Sequence, residues 1–279
     1  MAQPNVNIDI EKYEKVKTLG KGQFGEVNLY QLKKGIDNGI SRMAVKQARC
    51  SDEQTIASIG KEVDILCQLT HPNIVQYLGH HDDGSNIQIM LQYMCGGSVD
   101  DHLKKTAAPF SEEKTKRYTR DVIEGLRYIH GKRIIHRDIK GGNILIDGVD
   151  SAKLADFGLS KIMETSKSAH TFAGSPLFMS PEMISTNLDA SGHGLKTDIW
   201  SIGCVVVQML SSYPPWKAKC DDGISKFDLM RDIAECRHPD YTLPGGVSQE
   251  ARDFLNHCFV KEPKDRPSAD DLLRRSFLA

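Results

Sequence analysis

The chain has 279 residues, of which 39% are hydrophobic and 26% are charged. This is the composition of an ordinary soluble globular protein, and the length suffices for one large domain or for two lobes that share a cleft. Lys and Arg together number 36 against 37 Asp and Glu. No excess of positive charge therefore points to a nucleic acid or an anionic membrane as a partner.

The seven cysteines are an odd number, and no two of them form a CxxC pair. A disulfide framework or a structural zinc site is therefore not expected, and reduced thiols in the cytosol or nucleus fit better. The opening residues MAQPNVNIDI lack the pattern of a signal peptide, and the longest apolar run, Ile199 to Leu210, is too short to cross a bilayer. We expect a cytoplasmic protein without membrane insertion.

The first part of the chain has the pattern of a sheet with one helix. Residues 1–12 are interpreted as a short leader, and short apolar runs between turn residues predict strands from Tyr13 to about Gln92. Ser51 or Asp52 can cap the one helix. Its apolar residues recur at steps of three and four: Ile56, Ile59, Val63, Leu66 and Leu69.

Beyond the Gly96-Gly97 turn the pattern becomes mainly helical. A long helix is predicted from Ser111-Glu112 through Ile129, and another from about Lys196 to Leu210. Shorter helices follow Ser225, Ser248 and Ser268. The fold class is therefore α+β, with a small β-rich lobe joined to a larger helical lobe, and a cleft between lobes is a favoured place for a ligand.

A glycine-rich segment lies near the start of the predicted sheet. It consists of Leu19, Gly20, Lys21, Gly22, Gln23, Phe24, Gly25, Glu26 and Val27. Glycines at this spacing allow backbone N–H groups to approach phosphates closely. The same pattern occurs in dinucleotide-binding turns, but these need a helix directly after the glycines, whereas Glu26 to Leu32 predicts a strand.

Lys46 closes the apolar run Met43-Ala44-Val45, and Glu62 lies on the predicted helix. An ion pair between them could hold the ammonium group against the α- and β-phosphates of a nucleotide. Each residue alone is more often part of a solvated surface. The pair becomes informative only together with other motifs.

The strongest signal is the run HRDIKGGN, residues 136–143, followed 13 residues later by Asp156-Phe157-Gly158. Phosphoryl transfer needs positioning, charge neutralisation and an acceptor for the hydroxyl proton. Asp138 suits the last role, and Lys140 can neutralise the moving phosphoryl group. Asn143 and Asp156 offer oxygen atoms to Mg²⁺, a hard cation that prefers such ligands.

These motifs together resemble those of eukaryotic protein kinases in their order and rough spacing, over about residues 13 to 278. The resemblance implies the bilobal kinase fold, with a small lobe of about 13–92, a hinge of about 92–97 and a large lobe of about 98–278. It also implies ATP and Mg²⁺ as cofactors and a protein as substrate.

The resemblance further implies roles for individual residues. Asp138 would be the catalytic base, Lys140 and Lys46 would bind phosphate, and Glu62 would fix Lys46. Asn143 and Asp156 would hold the metal. Leu91 would be the gatekeeper residue of the hinge, where the Gln92 carbonyl and the Met94 amide would pair with adenine. Val27, Ala44 and Leu145 would enclose the adenine ring. Leu66, Tyr77, His136 and Phe157 would form an internal spine, Glu182 would pair with Arg266, and Asp198 would anchor the catalytic loop.

Lys140 and the loop from Gly174 to Glu182 are similar to those of serine/threonine kinases, although Ser180 replaces the commoner Ala. The motif HRDIKGGNIL, the hinge run QYMCGGSVDDHL and GSPLFMSPE are most similar to the STE group, and within it to MAP kinase kinase kinases of the MEKK type. The implied substrate is a MAP kinase kinase, and an upstream activator or scaffold protein is a further possible partner. A Ste20-like or p21-activated kinase is the alternative within the superfamily.

Regulation by phosphorylation is expected in the segment from Asp156 to Glu182. Thr171 is the first candidate for the phosphorylated residue and Ser175 the second, and a phosphate on either could pair with Arg137. Ser175 has a competing structural role, since its hydroxyl could bridge Asp138 and Lys140. Two other classes remain as alternatives: a nucleotide-binding scaffold without activity, and a small-molecule kinase or dinucleotide enzyme. Retention of every catalytic position favours an active enzyme over a scaffold.

Overall fold

The computed structural model describes residues 8–22, 25–36, 40–49, 53–84, 86–162, 175–185 and 194–279. In its N-terminal part the strands are β1 (Tyr13–Gly22), β2 (Gly25–Leu32), β3 (Arg42–Arg49), β4 (Tyr77–Asp82) and β5 (Asn86–Gln92). They form an antiparallel sheet in the order β1-β2-β3-β5-β4. The helix α1 (Glu53–Leu66) follows β3.

The strand register decides which side chains share a face of this sheet. Val27 on β2 lies opposite Lys46 on β3, and Ala44 lies opposite Leu91 on β5. Because alternate residues of a strand point to the same face, these four side chains occupy one face. The other face carries an apolar cluster that includes Tyr13 and Met43, and Ile8 packs against it.

Helix α1 lies close to its predicted position, but its buried face differs from the predicted apolar stripe. Ile59, Glu62, Ile65 and Leu66 are buried, whereas Ile56 is 43% exposed. Successive residues of a helix are rotated by about 100° around its axis, and the centre of the buried positions lies more than about 100° around the axis from Ile56. The stripe predicted from apolar residues was wrong at Ile56 because a polar residue, Glu62, occupies the middle of the buried face. Ser51 and Asp52, the predicted caps, lie outside the described residues.

The C-terminal part is mainly helical. Its helices are α2 (Val99–Thr106), α3 (Glu112–Gly131), α4 (Pro181–Ile184), α5 (Leu195–Ser211), α6 (Lys217–Asp221), α7 (Lys226–Glu235), α8 (Gln249–Cys258) and α9 (Ala269–Leu273). Two small antiparallel pairs complete it: β6 (Ile134–Ile135) with β9 (Lys161–Ile162), and β7 (Ile144–Ile146) with β8 (Ala152–Leu154). The predicted α+β fold, with a β-rich region and a helical region, is confirmed.

Serine hydroxyls define the start of most of the predicted helices. The side chains of Ser111, Ser225, Ser248 and Ser268 each accept a hydrogen bond from a backbone N–H in the first turn of the helix that follows. Such caps satisfy one of the four free N–H groups at a helix start. The predicted starts of α3, α7, α8 and α9 are therefore confirmed.

Helix α5 forms the centre of the helical region. Every residue from Thr197 to Leu210 is buried, including Trp200, which contacts Phe259 edge to face. This explains the long apolar run that the sequence shows there. Within the described part of the chain, no helix is both long and apolar enough to cross a membrane.

Candidate active site

The site lies between the sheet and the helical region, and Lys46 occupies its N-terminal side. The Lys46 ammonium nitrogen Nζ lies 2.7 and 2.9 Å from the two carboxylate oxygens of Glu62. It also lies 2.9 Å from Oδ1 of Asp156. The structure thus joins strand β3, helix α1 and the Asp156-Phe157-Gly158 motif through one cation.

Burial and charge act in opposite directions on the pKa values of these three groups. On Glu62 burial outweighs the positive charge of Lys46, and its pKa is raised. Burial alone would lower the pKa of Lys46, but the negative charges of Asp156 and Glu62 outweigh it and the pKa lies above its ordinary value. Burial would raise the pKa of Asp156, and the charge of Lys46 reverses the effect, so that this pKa is lowered. Lys46 is therefore held as a cation and Asp156 as an anion.

Asp198, in the first turn of α5, is hydrogen-bonded to the backbone of the predicted catalytic loop. Its carboxylate, which is 0% exposed, accepts hydrogen bonds from the backbone N–H groups of His136 and Arg137, both at 2.9 Å. The ring of His130 contacts the same carboxylate at 2.9 Å. Arg137 has a φ of 69°, a strained value for a non-glycine residue. The hydrogen bonds to Asp198 hold the loop in this conformation, as the sequence predicted.

The loop brings Asp138, Lys140 and Asn143 together. The Lys140 ammonium donates to Oδ2 of Asp138 at 2.7 Å, and the side-chain amide of Asn143 donates to the same oxygen at 2.8 Å. The Asn143 amide also donates to the Asp138 backbone carbonyl at 2.8 Å. Because its nitrogen is used in this way, Asn143 keeps its side-chain oxygen for another partner.

The Asp156 motif is joined to this loop by packing and by the backbone. The backbone N–H of Ala155 donates to the Asn143 carbonyl at 2.9 Å. The rings of His136 and Phe157 lie 4.8 Å apart. Phe157, Leu66 and Tyr77 are buried in one hydrophobic cluster, so the structure brings the predicted spine residues into the same core. The spine therefore connects α1 and β4 to the catalytic loop.

The segment predicted to be the hinge is hydrogen-bonded to strand β7, which carries Leu145. The N–H of Gly96 donates to the Ile146 carbonyl at 3.0 Å, and the N–H of Ile146 donates to the Gly97 carbonyl at 2.8 Å. A Cβ on Gly96 would lie 2.7 Å from that Ile146 carbonyl oxygen, so only glycine fits. Met94 and Leu145 share an apolar cluster. The predicted adenine-binding residues of the hinge and of β7 are thereby adjacent.

The side chain of Gln92 contacts a residue on β8, away from the backbone that was predicted to bind adenine. Its Oε1 accepts a hydrogen bond from Lys153 at 3.2 Å. The backbone N–H of Gln92 donates to the Gln76 carbonyl at 2.8 Å. The predicted adenine contact of Gln92 uses the backbone carbonyl, and this interaction stays a prediction.

The glycine-rich segment is described except for Gln23 and Phe24, which lie outside the described residues. Gly22 pairs with Gly25 and Gly20 with Val27 across β1 and β2, while Leu19 and Lys21 on β1 are exposed. Gly25 has a φ of +129°, and a Cβ there would lie 1.9 Å from the Gln47 carbonyl oxygen. This position accepts only glycine.

Glu26 is the member of the segment whose side chain lies away from Lys46. Its carboxylate accepts hydrogen bonds from Lys15 at 2.8 Å and from the Asn28 amide at 2.9 Å. These contacts place it on the face opposite Val27, since neighbouring residues of a strand point to opposite faces. A nucleotide contact of Glu26 would therefore use its backbone.

A buried ion pair fixes the C-terminal end of the loop that precedes α4. The guanidinium of Arg266 donates to the two carboxylate oxygens of Glu182 at 2.7 and 3.2 Å. It also donates to the backbone carbonyls of three residues: Lys196, Val260 and Lys261. Arg266 stacks on Trp200 at 5.2 Å. The predicted Glu182–Arg266 pair is thus present and all its donors are used.

Two further expectations concern hydroxyl groups near this loop. Thr171 lies outside the described residues, as do Thr165, Ser166, Ser168 and Gly174. Ser175 is described, and within the described residues its hydroxyl makes no hydrogen bond to Asp138 or Lys140; Lys140 bonds Asp138 directly. The bridging role suggested for Ser175 is not seen in this arrangement.

Comparison with known proteins identifies the family. Residues 13–278 match the protein kinase domain. The chain belongs to the protein kinase family. The predicted membership of the protein kinase family is therefore confirmed, and members of this family use ATP and a divalent metal to modify protein substrates.

Several curated kinases are similar to this chain. Mitogen-activated protein kinase kinase kinase A of Dictyostelium discoideum is 39% identical over 276 residues, which cover 96% of this chain and 28% of the relative. Mitogen-activated protein kinase kinase kinase 3 of Homo sapiens is 37% identical over 270 residues, which cover 94% of this chain and 41% of the relative. Mitogen-activated protein kinase kinase kinase 2 of Arabidopsis thaliana is 37% identical over 278 residues, which cover 96% of this chain and 41% of the relative. The chain thus spans less than half the length of these relatives.

The sequence patterns assigned no role to two residues that lie beside the predicted catalytic loop. Asp100 lies on α2, and Gln208 lies on α5, joined to it by a hydrogen bond of 2.8 Å. The sequence contains a signal for α2 itself, because Ser98 and Asp101 form a capping box. It contains none for the pairing of Asp100 with a residue 108 positions away.

Proposed function

We propose that this kinase domain transfers the γ-phosphoryl group of Mg-ATP to serine or threonine hydroxyls of a protein. The proposal rests on the hydrogen-bonded group of Asp138, Lys140 and Asn143. The Asp138 carboxylate accepts hydrogen bonds from the Lys140 ammonium at 2.7 Å and from the Asn143 amide at 2.8 Å. The Lys46–Glu62 pair, at 2.7 Å, supplies a second cation for the phosphates. We place the lobes and hinge at the boundaries that the sequence suggests.

The reaction that follows is an in-line displacement. Asp138 orients the substrate hydroxyl and accepts its proton as the bond from the hydroxyl oxygen to the γ-phosphorus forms. The bond from that phosphorus to the bridging oxygen breaks, and ADP leaves. Lys140 neutralises charge on the moving group, and Lys46 holds the α- and β-phosphates, so that electrostatic stabilisation supplies most of the acceleration.

The residues at the site fit Mg²⁺. Asp156 offers a carboxylate that is 41% exposed, and Asn143 offers the side-chain oxygen that its hydrogen bonds leave over. Among the described residues no cluster of three or more His, Cys, Asp and Glu could hold a metal. A site of two protein oxygens suits Mg²⁺, which takes its other ligands from phosphates and water. When bound, the ion neutralises charge on the phosphates.

We further propose that the protein acts as a MAP kinase kinase kinase and takes a MAP kinase kinase as substrate. The support is its similarity, at 37% to 39% identity, to proteins bearing that name. A Ste20-like or p21-activated kinase is less well supported, because the relatives described above are MAP kinase kinase kinases. An upstream activator or scaffold protein and a cytoplasmic location complete the proposal. Free thiols at the six described cysteines are consistent with that location.

A phosphate-binding role for Arg137 is the proposed route of regulation. Burial lowers the pKa of Lys161, and the positive charge of Arg137 lowers it further. The two cations therefore lie within electrostatic range of each other, beside the segment that contains Thr171 and Ser175. A phosphate on either hydroxyl would relieve this repulsion. Full activity with unmodified Thr171 and Ser175, determined by mass spectrometry of the active protein, would contradict this.

The proposed activity is tested with labelled Mg-ATP, a panel of MAP kinase kinases and unrelated proteins as substrates. We expect label on serine or threonine of the MAP kinase kinases. Asp138→Asn should lower kcat by roughly 10²–10⁴-fold, because the proton acceptor is lost. Equal transfer by wild type and Asp138→Asn would reject the assignment of Asp138. Label on unrelated proteins alone would reject the proposed substrate class but not the kinase activity.

A further inference from the structure

A chain of side-chain hydrogen bonds joins strands β1 and β2, with Asn28 at its centre. The Oδ1 atom of Asn28 accepts a hydrogen bond from the Thr18 hydroxyl at 2.9 Å, and its Nδ2 donates to Oε1 of Glu26 at 2.9 Å. The Lys15 ammonium donates to the same oxygen of Glu26 at 2.8 Å. Side chains therefore link the two strands of this hairpin in addition to the backbone pairs.

The amide of Asn28 is buried next to apolar side chains. Asn28 is 0% exposed, and it lies opposite Val45 in the register of β2 and β3. Val45 belongs to the apolar cluster on the outer face of the sheet, together with Met43. A buried amide is costly unless its oxygen and nitrogen are both hydrogen-bonded. Among the described residues, Thr18 and Glu26 are the side chains that satisfy it.

The hydrogen bond between Thr18 and Asn28 lies directly before an irregularity of the hairpin. Thr18 pairs with Asn28 across the two strands, and the next pair is Gly20 with Val27, so that Leu19 is an extra residue on β1. Such a bulge disrupts the backbone ladder locally. The Thr18 hydroxyl therefore fastens β1 to β2 at the point where the glycine-rich segment begins.

The Thr18–Asn28 pair lies on the face of the hairpin that points away from the cleft. Val27 lies opposite Lys46 and shares its face of the sheet. Neighbouring residues of a strand point to opposite faces, so the side chain of Asn28 lies on the other face. An effect of this pair on a nucleotide beneath the hairpin must therefore act through the backbone of the glycine-rich segment.

We propose that Thr18 and Asn28 are positioning residues that hold the glycine-rich segment in the conformation that binds Mg-ATP. Without their hydrogen bond the hairpin opens more often at the bulge. The fraction of molecules with a binding-competent hairpin then falls, and the apparent affinity for the nucleotide falls by the same factor. The inference rests on the proposed kinase activity and deepens it by naming residues outside the cleft that set the affinity for ATP.

The test uses the whole chain with four substitutions. Thr18→Val removes the hydroxyl at an exposed position and keeps the shape of the side chain, whereas Thr18→Ser retains the hydroxyl. Asn28→Leu removes the other partner. Thr106→Val is the matched control, because Thr106 is also exposed and its hydroxyl donates to the His102 carbonyl at 2.9 Å, at the end of α2. Thermal unfolding verifies that each variant is folded.

Two measurements are compared: the Kd of a non-hydrolysable Mg-ATP analogue, by calorimetry, and steady-state kinetics with a protein substrate. Thr18→Val should raise this Kd and the KM for ATP by roughly threefold to tenfold, the effect of losing one hydrogen bond. The values of kcat and of KM for the protein substrate should not change, because the pair touches no catalytic group. Thr18→Ser and Thr106→Val should behave like the wild type.

A double-mutant cycle tests whether the two residues act as one unit. Asn28→Leu should raise the Kd by a factor similar to that of Thr18→Val, and the double variant should show no further increase. Hydrogen exchange should become faster in the β1–β2 hairpin of Thr18→Val while it stays unchanged in β3. If Asn28→Leu does not fold, the Thr18 variants and hydrogen exchange decide the question.

Three outcomes would overturn the inference. These are an unchanged Kd of the analogue in Thr18→Val, an equal rise of this Kd in Thr106→Val, or a loss of thermal stability in Thr18→Val without a rise in Kd. The last outcome would show that the pair only stabilises the sheet. A wild type that neither binds the analogue nor phosphorylates any protein would instead reject the proposed kinase activity, which separates the two failures.

Discussion

The Lys46 ammonium of strand β3 and the Glu62 carboxylate of helix α1 form a buried ion pair at 2.7 Å, in which the two side chains are only 12% and 5% exposed. A pair this deeply buried loses the solvation of both charges, so its geometry must be supported by further hydrogen bonds. Asp156 supplies one at 2.9 Å. The position of α1 is therefore coupled to the position of the Asp156 motif.

The first prediction concerns this pair. Lys46→Met should reduce kcat by roughly 100-fold or more, because the cation that we propose holds the phosphates is lost. Glu62→Gln should also reduce kcat, by a smaller factor, because Lys46 keeps Asp156 as a partner. Steady-state kinetics with Mg-ATP measures both. A Glu62→Gln enzyme with less activity than Lys46→Met would contradict this order.

The second prediction concerns the Glu182–Arg266 pair, whose side chains are 10% and 0% exposed. Glu182→Gln leaves the Arg266 charge buried without a counter-ion, and should lower the free energy of unfolding by about 3–5 kcal/mol. The pair of Arg127 and Glu124, whose side chains are 49% and 31% exposed, provides the control, since Glu124→Gln in this more solvated pair should cost less than about 1 kcal/mol. Denaturant unfolding gives both values. Similar values for the two variants would refute the prediction.

The third prediction compares two buried serines. Ser180 is 0% exposed and its hydroxyl has no hydrogen-bond partner among the described residues. Ser201 is 4% exposed and donates to the Phe178 carbonyl at 2.8 Å. Ser180→Ala should leave the protein as stable or more stable, because an unsatisfied hydroxyl is removed. Ser201→Ala should destabilise it by about 1 kcal/mol. Thermal unfolding of both variants tests this, and a larger loss in Ser180→Ala would contradict it.

The fourth prediction concerns the thiols. Burial raises the pKa of Cys204 and of Cys258, and both side chains are 0% exposed. Because the thiolate is the reactive form, neither should react with iodoacetamide in the folded protein. Cys67 and Cys95 are exposed and should be alkylated. Mass spectrometry before and after denaturation measures this; native labelling of Cys204 or Cys258 at the rate of Cys95 would disprove it.

Local sequence patterns predicted much of the fold. The serine caps at Ser111, Ser225, Ser248 and Ser268 predicted where four helices begin, because the capping hydroxyl and the N–H that it bonds are only three residues apart. Helix α2 has the same kind of signal in Ser98 and Asp101. This capping box is a local signal that marks the start of α2.

The contacts within the candidate site could not be predicted from local sequence patterns. Lys46 and Asp156 are separated by 110 residues, yet lie 2.9 Å apart. Spacing along the chain contains no information on such a contact, and it was not predicted; the resemblance to kinases implied only that both residues act on the same nucleotide and its metal. The buried face of α1 was misjudged at Ile56 because the position that packs inward belongs to a charged residue, Glu62, which hydrophobic periodicity counts as exposed.

The attachment of the catalytic loop to Asp198 has a consequence for local unfolding. The amides of His136 and Arg137 donate to a carboxylate that is 0% exposed, on a helix whose residues are buried over most of its length. Opening these bonds requires α5 to separate from the core, which approaches global unfolding. Their hydrogen exchange should therefore be among the slowest in the chain, whereas the amides of Lys21 and Gly22 at the exposed tip of β1 should exchange early. We therefore expect the end of β1 to open locally while the loop that contains Asp138 stays closed.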